Sequence, residues 1–247
     1  MKNKKLKTIL SITGYFLLTI ALCVSASIVF HNTYYELVFV SGISMQPNLN
    51  LSGGDKEGDI VDFGIMDTHQ SAINNIKRFS IVSTYYADDY VLKDTVVSNA
   101  HQKIKRVIAM PNETFKIEKS KLYVKQDNNE FEYIPYTFDI IPSVDKESTI
   151  KDIEETTLKE DEYWVLGDHR DKSRDCGSES LRVPVKKDYL IGVLVAIEGT
   201  ATLSAKHYIC PKCGKSYDHE GICQNCYEEL SAMFELKNRK YTLPKYF

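Results

Sequence analysis

The stretch Ser41-Gly-Ile-Ser-Met-Gln-Pro47 sets a serine between a Ser-Gly turn and a proline, at the end of an apolar run. Two further blocks follow in order, Lys105-Arg-Val-Ile-Ala-Met-Pro111 and Gly167-Asp-His-Arg-Asp-Lys-Ser-Arg-Asp175. The first block offers a hydroxyl nucleophile, the second an amine that can take its proton, and the third a polar turn that can hold the amine. The three blocks together therefore indicate the residue set of serine–lysine chemistry.

The two reactive residues also have ordinary interpretations. Ser44 alone is typical of a loop, and Lys105 alone is typical of the wet face of a strand. Strand alternation over 104–108 puts Lys105 on the face opposite to Arg106. A general base needs a pKa near the working pH, whereas a free lysine titrates at about 10.4. Burial among apolar neighbours lowers a lysine pKa, so a buried Lys105 would suit this role.

The N-terminus carries four lysines before an uncharged run from Thr8 to Phe30. A helix needs about 20 apolar residues to cross a bilayer. The pattern predicts a cytoplasmic stretch over 1–7, a transmembrane helix over 8–30 and an extracytoplasmic remainder. A cleavable signal peptide, cut near Ser25-Ala26-Ser27, is the alternative, but its apolar region usually has only about 7–15 residues.

Composition favours a mainly β body. The 247 residues include 16 tyrosines, which are frequent in strands, and the net charge of −3 without a dense basic stripe argues against a nucleic-acid partner. The acidic segment Asp139–Glu162 is expected to be a solvated excursion, and a short helix over Lys151–Leu158 is the alternative. The stretches that predict strands are Tyr35–Val40, Gly58–Phe63, Phe79–Tyr86, Ile104–Ile108, Phe115–Ile117, Leu122–Val124, Tyr163–Leu166 and Tyr189–Ile197.

Two CxxC pairs, separated by nine residues, lie near the C-terminus. Four thiolates on two such turns suit tetrahedral zinc, and no open position would remain for water. Disulfides within or between the pairs are the alternative, because thiols outside the cytoplasm tend to oxidise. We expect a structural zinc ribbon over 205–230, followed by a tail over 231–247, and no cofactor for catalysis. The four expected ligands are Cys210, Cys213, Cys223 and Cys226.

The blocks resemble those of bacterial type I signal peptidases, which are membrane-anchored serine–lysine endopeptidases, over Met1 to about Val195. The resemblance implies a β catalytic domain over 31–204 behind one transmembrane helix. It implies that Ser44 is the nucleophile and that Lys105 is the general base.

The resemblance also implies roles around this pair. Ser173 would hydrogen-bond the lysine amine, and Asp168, Arg170 and Asp175 would support the site. Met45 and Ile104 would line the substrate pockets, and the Ser44 N–H would stabilise the oxyanion. The implied substrate is the extended segment before the cleavage site of a secreted preprotein. It would bind by strand addition at a sheet edge, on the extracytoplasmic side of the cell membrane.

Some positions depart from the family pattern. His169 stands where the family usually has asparagine, and Cys176-Gly177 replaces the arginine that usually partners Asp175. Two alternatives therefore remain. One is a catalytically weak, membrane-tethered binding module in which the zinc ribbon is the working part. The other is a dedicated serine–lysine protease that cuts itself near Ala26 or cuts one partner.

Overall fold

The computed structural model describes residues 2–85, 102–142, 152–178, 182–210, 212–228 and 230–247. The chain divides into two units, Met1–Glu36 and Leu37–Phe247. The first unit is formed mainly by helix α1 (Lys2–Tyr34), which extends the predicted apolar helix at both ends. Within it, the 19 residues Thr13–His31 are long and apolar enough to cross a membrane. This helix suggests membrane anchoring.

The second unit is built on two antiparallel sheets, so the prediction of a mainly β chain is confirmed. Strands of the larger sheet are β1 (Tyr35–Val40), β2 (Ile60–Asp67), β3 (Ile81–Thr84), β4 (Lys103–Ala109), β9 (Glu162–Leu166), β10 (Val185–Lys186) and β11 (Leu190–Ile209). They run in the order β1-β2-β11-β3-β4-β9-β10. Two further strands, β12 (Ser216–Tyr217) and β13 (Ser231–Tyr246), pair with β11.

The smaller sheet has four strands in the order β7-β6-β5-β8. They are β5 (Thr114–Glu118), β6 (Lys121–Lys125), β7 (Phe131–Ile134) and β8 (Ile153–Thr157). The helix α2 (Gln70–Asn74) and a 3₁₀ turn (Lys187–Tyr189) complete the described elements. The predicted strands all correspond to strands of the structure, although the end of Phe79–Tyr86 lies outside the described residues.

Two buried clusters hold the second unit together. The larger one includes Phe115 and Trp164, whose ring centroids lie 5.2 Å apart and which join the smaller sheet to the larger. The other includes Met45 and Leu49 and packs the loop after β1 against the sheet. Strand alternation explains the contribution of the smaller sheet to the larger cluster, because β5 and β6 each bury every second side chain. The loop that carries Ser44 is therefore anchored by buried apolar side chains.

The described residues within Lys151–Leu158 include a strand, so neither the expected solvated excursion nor the alternative of a short helix describes this stretch. Ile153–Thr157 forms β8, which pairs with β5 so that Ile153 lies opposite Ile117 and Thr157 opposite Thr114. The β-branched residues Ile153, Thr156 and Thr157 suit this pleated edge better than a helix. Lys151 and the residues 143–150 before it lie outside the described residues.

The C-terminal stretch 231–247, which the sequence indicates only as a tail, contains the 16-residue strand β13. It pairs with β11 from Ile209 opposite Ser231 to Ala196 opposite Tyr246. The strand predicted to end at Ile197 therefore continues to Ile209. The two cysteine pairs lie between these long strands, at the tip of a β-hairpin.

Candidate active site and cysteine cluster

Ser44 and Lys105 lie side by side in the structure. Ser44 is in the turn after β1, and Lys105 is on β4. The Lys105 Nζ atom lies in hydrogen-bond contact with Ser44 Oγ at 3.0 Å, and it donates to the carbonyl oxygen of Ile104 at 2.9 Å. The side chains that the first two blocks contribute are therefore placed for direct proton transfer.

Burial makes Lys105 a weaker base than an ordinary lysine. The residue is only 4% exposed. Desolvation lowers its pKa to about 8, and the charge of Lys103 acts in the same direction, while Asp175 and Asp168 oppose it. A pKa of about 8 leaves roughly a tenth of the amine neutral at pH 7, against well under ~0.1% for a free lysine. The amine can therefore accept a proton near neutral pH.

The third block contacts the loop that carries Ser44 through its backbone. The His169 N–H donates to the Ser44 carbonyl oxygen at 3.1 Å. A Cβ on Gly167 would lie 2.2 Å from Ser173 Oγ and 2.4 Å from the Ser44 carbonyl oxygen, so no larger residue fits there. Glycine at position 167 is thus what lets the two segments approach.

A buried ion pair joins the third block to β4. Arg106 Nε and Nη2 donate to the two carboxylate oxygens of Asp168 at 2.8 and 2.7 Å. Asn48 Nδ2 donates to Asp168 Oδ2 at 2.9 Å, and the Arg106 Cζ lies 3.9 Å from the centre of the Phe138 ring. Since both charges are buried, the bidentate geometry is what compensates their desolvation.

Arg106 and Asn48 are members of the site that the sequence does not single out. Alternation places Arg106 on the opposite face of β4 from Lys105, and this pattern indicates that the two side chains have different partners. Nothing in the sequence around Asn48 indicates that it bonds to a residue of the third block.

Asp175 is satisfied without an arginine. Its carboxylate accepts from the Gly167 N–H at 2.7 Å and from the Gly177 N–H at 2.9 Å. Burial raises its pKa, while these two N–H groups, the Ser173 hydroxyl and the charge of Lys105 act against that rise. The backbone therefore supplies donors where the family pattern has a side chain.

The remaining predicted residues surround the pair. Ser173 is buried, but Lys105 Nζ makes its two described hydrogen bonds to Ser44 and Ile104 rather than to the Ser173 hydroxyl. Arg170 Nη1 donates to the Gly167 carbonyl oxygen at 3.0 Å and so braces the turn of the third block.

The two residues expected to line substrate pockets differ in exposure. Met45 is 1% exposed and belongs to the buried cluster under the loop. Ile104 is half-buried and packs against the same cluster. Ile104 thus reaches the surface beside Lys105, whereas Met45 contributes mainly to the packing beneath it.

The four C-terminal cysteines form one cluster whose Sγ atoms all lie within 4.8 Å of one another. Each CxxC pair has the same backbone pattern. Cys210 N donates to Lys215 O and Gly214 N to Cys210 O; Cys223 N donates to Glu228 O and Tyr227 N to Cys223 O. All four cysteines are in the reduced form, which four-thiolate metal coordination requires. The cluster could therefore hold a metal ion.

Tyr217 lowers the pKa of one of these thiols. Its hydroxyl donates to Cys223 Sγ at 3.3 Å, and this hydrogen bond lowers the pKa of Cys223 to about 6. A thiolate is the form that binds a metal. The Tyr217 hydroxyl also accepts from the Gln224 N–H, which closes the turn.

Comparison with known proteins places this site in a family. A family model described as signal peptidase, peptidase S26, matches residues 12–197. Among solved structures, the chain is similar to a signal peptidase I from Enterococcus faecalis V583, at 24% sequence identity and a TM-score of 0.33, over 49% of this chain and 97% of that chain. No match was found among curated protein sequences. Because the matched range is well over half of its length, the chain belongs to the signal peptidase family, peptidase S26.

Proposed function

We propose that the chain is a type I signal peptidase that removes signal peptides from secreted preproteins at the membrane surface. The observation that carries this proposal is the 3.0 Å contact between Ser44 Oγ and a buried Lys105 Nζ, whose pKa is lowered to about 8. A nucleophile within hydrogen-bond reach of a base with a pKa near the working pH is the arrangement that acyl transfer needs.

Lys105 moves the proton in each half of the reaction. The neutral amine accepts the Ser44 hydroxyl proton as Oγ attacks the substrate carbonyl carbon. The resulting ammonium gives that proton to the leaving amine when the peptide C–N bond breaks, which leaves an ester on Ser44. Lys105 then takes a proton from water, whose oxygen attacks the ester, and returns it to Ser44 as the acid product leaves.

The oxyanion formed in both halves needs a hydrogen-bond donor near Ser44. Among the described residues, no acceptor is hydrogen-bonded to the Ser44 N–H, so this group is available to the oxyanion. A single such donor contributes a few kcal/mol, about 3–4, to the transition state. The bond from the His169 N–H to the Ser44 carbonyl oxygen fixes the next peptide unit, between residues 44 and 45, and so supports the orientation of the loop that carries this donor.

The surrounding residues hold the pair in position. Asp175 lies near Lys105 and partly offsets the cost of its charge, and Asp168 ties the third block to the strand of Lys105. Ser173 is proposed to bond the lysine amine once the Ser44 hydroxyl has turned towards substrate. Ile104 and Met45 would shape the shallow pockets for small side chains before the cleaved bond.

The helix α1 would hold this site at a membrane. The lysines before it favour a cytoplasmic N-terminus, so the second unit and its substrates would lie on the other side. Membrane lipid and the signal peptides of preproteins are then the expected partners.

The cysteine cluster is proposed to bind structural zinc through all four thiolates. Zinc would close the ribbon at the tip of the hairpin and supply folding energy there, with no part in peptide cleavage. Metal analysis of the purified chain should give about one zinc per chain, following the four-ligand stoichiometry of such sites. Loss of zinc with persistence of a folded ribbon in Cys210→Ser would contradict a structural role.

The test of the peptidase proposal is cleavage of a model preprotein in lipid by the wild type, Ser44→Ala and Lys105→Ala. Cleavage after a small-x-small segment by the wild type, lost in both variants, supports the proposal. A folded, zinc-loaded wild type that cleaves nothing would favour the binding-module alternative. That alternative was drawn from the missing arginine, and the backbone bonds to Asp175 remove its main support.

The intact mass of the purified chain distinguishes the dedicated autoprotease from a signal peptidase that acts on preproteins. Loss of the residues up to and including Ser27, abolished by Lys105→Ala, would favour self-cleavage. An intact chain that cleaves preproteins in trans excludes it.

A further inference from the structure

The C-terminal half of β13 differs in charge and exposure from the rest of the unit. Every residue from 237 to 247 is exposed. This stretch carries four basic residues and no acidic side chain, in a chain whose net charge is −3. The nearest acids on its own hairpin are Glu235, which pairs with Lys237 at 3.2 Å, and Glu198 on the neighbouring strand. A basic surface has thus been built on an otherwise acidic protein.

A bulge in the hairpin projects an apolar side chain from this surface. Tyr241 lies opposite Gly199 and Lys245 opposite Ile197, so the three residues 242–244 stand opposite one residue of β11. Leu243 is at the apex of this bulge and is 92% exposed. Bulges of this kind re-aim side chains away from the sheet.

Tyrosines flank the leucine. Tyr246 is 72% exposed and Tyr241 is 65% exposed, although the ring of Tyr241 also packs at 5.2 Å against the buried ring of Phe63. A single exposed leucine is ordinary on a protein surface. An apex leucine with a tyrosine on either side and cations around them has the composition of a membrane interface, where tyrosines sit at headgroup level and lysines meet anionic lipid.

We propose that this bulge, residues 240–246, docks on an anionic lipid bilayer, with Leu243 inserted and Lys240 at the headgroups. The surface lies beyond residue 197, where the family match ends, so it belongs to the extension that also carries the cysteine cluster. Lys245 Nζ donates to the Asn48 carbonyl oxygen at 3.1 Å. Docking here would therefore set the height of the Ser44 loop above the bilayer.

Strand addition by a second copy is less compatible with the same residues. Pro244 lacks a backbone donor, and lysines along an outer edge oppose pairing with another strand. A lipid surface uses these cations, whereas a second copy of this chain would bring like charges together.

The experiment is depth-dependent quenching with the full chain in lipid nanodiscs. Leu243→Trp places a reporter at the apex, and Tyr133→Trp, on the smaller sheet and 45% exposed in the wild type, is the matched control. The native Trp164 is 2% exposed and gives a constant background. Lipids brominated along the acyl chain quench only tryptophans that reach the hydrocarbon boundary.

We expect brominated anionic lipid to quench the reporter of Leu243→Trp and to leave that of Tyr133→Trp unchanged. Brominated zwitterionic lipid, added salt, or the further change Lys237→Gln with Lys240→Gln should each weaken the quenching. Equal quenching of reporter and control in every lipid would overturn the proposal. A reporter shielded from aqueous iodide but not quenched by bromine, with protein-concentration dependence, would assign the surface to a second copy instead.

The inference does not depend on catalysis. Quenching measured in the Ser44→Ala background should match the wild type, so failure of lipid docking and failure of the peptidase proposal give separate results.

Discussion

The backbone N–H of His169 donates to the carbonyl oxygen of Ser44 at 3.1 Å. Just before it in the chain, Gly167 allows the close approach and Asp168 binds Arg106 on the strand of Lys105. Three residues of the third block, Gly167, Asp168 and His169, thus hold both the loop of the serine and the strand of the lysine. The separation of the two reactive side chains is set by this turn more than by direct packing between them.

Gly167→Ala is expected to lower kcat about 10²-fold, because a displacement of the loop by about 1 Å is enough to misplace a nucleophile. The added Cβ would meet the Ser44 carbonyl oxygen at 2.4 Å, and a backbone atom cannot rotate away. Single-turnover cleavage measures the effect. Gly58→Ala is the control, since its φ is +87° but nothing lies within 4 Å, so it should cost stability and leave kcat unchanged. Equal loss of kcat in both variants would contradict the steric argument.

The pH profile of kcat/KM should report Lys105. The pKa is lowered to about 8, and only the neutral amine accepts the serine proton, so activity should fall about tenfold for each pH unit below 8 and level off above it. Asp175→Asn removes a charge that raises this pKa, so the midpoint should move to lower pH. Lys105→Arg should be inactive throughout, because a guanidinium keeps its proton. Activity of Lys105→Arg at any pH would exclude the lysine as base.

Asp168→Asn should destabilise the second unit by about 3–5 kcal/mol, because it leaves the buried guanidinium of Arg106 without its counter-charge. Denaturant unfolding, followed by the fluorescence of the buried Trp164, measures the change in free energy of unfolding. The control is Glu155→Gln, which removes an exposed ion pair to Lys125 and should cost less than about 1 kcal/mol. A loss no larger than that of the control would mean that the ion pair contributes no net stability.

Tyr227→Gly should stabilise the cysteine module by about 1 kcal/mol, because a left-handed backbone costs that much for a residue with a Cβ. Tyr227 has φ +58° at the position that glycine occupies in the first CxxC turn, where Gly214 has φ +71°. Its side chain is 83% exposed, so few contacts are lost. Hydrogen exchange of the Cys223 amide measures the gain. Gly214→Ala should shift the same measurement in the opposite direction, and a shift in the same direction would refute the argument.

Much of the fold follows from local patterns. The alternating stretches around Ile104–Ile108 and Tyr163–Leu166 predict strands that the structure contains, and these two pair as β4 and β9. The site residues within one block are also found together, since they lie on one strand or one turn. Ser44 lies in the turn after β1, and Lys105 lies on β4. The two residues meet because buried apolar side chains fix the positions of these two strands in the sheet.

The features that local sequence patterns do not predict are those formed with residues distant in the chain. The stretch 237–247 is too rich in charge to show alternation, and its strand forms only because β11 offers a free edge beyond β3. The charged residues of β8 suit a solvated excursion or a short helix equally well, and only pairing with β5 makes this stretch a strand. Asn48 and Asp168 bond through tertiary proximity alone, so no spacing rule could have joined them.

Phe247 links the far end of β13 to the first part of β11. The Phe247 N–H donates to the Val195 carbonyl oxygen at 3.1 Å, two residues before the end of the family match. The strand β13 therefore runs back along β11 as far as the end of the family match. Because Lys245 also donates to the Asn48 carbonyl oxygen, a reporter group attached at Phe247 would sense the surroundings of the nucleophile loop.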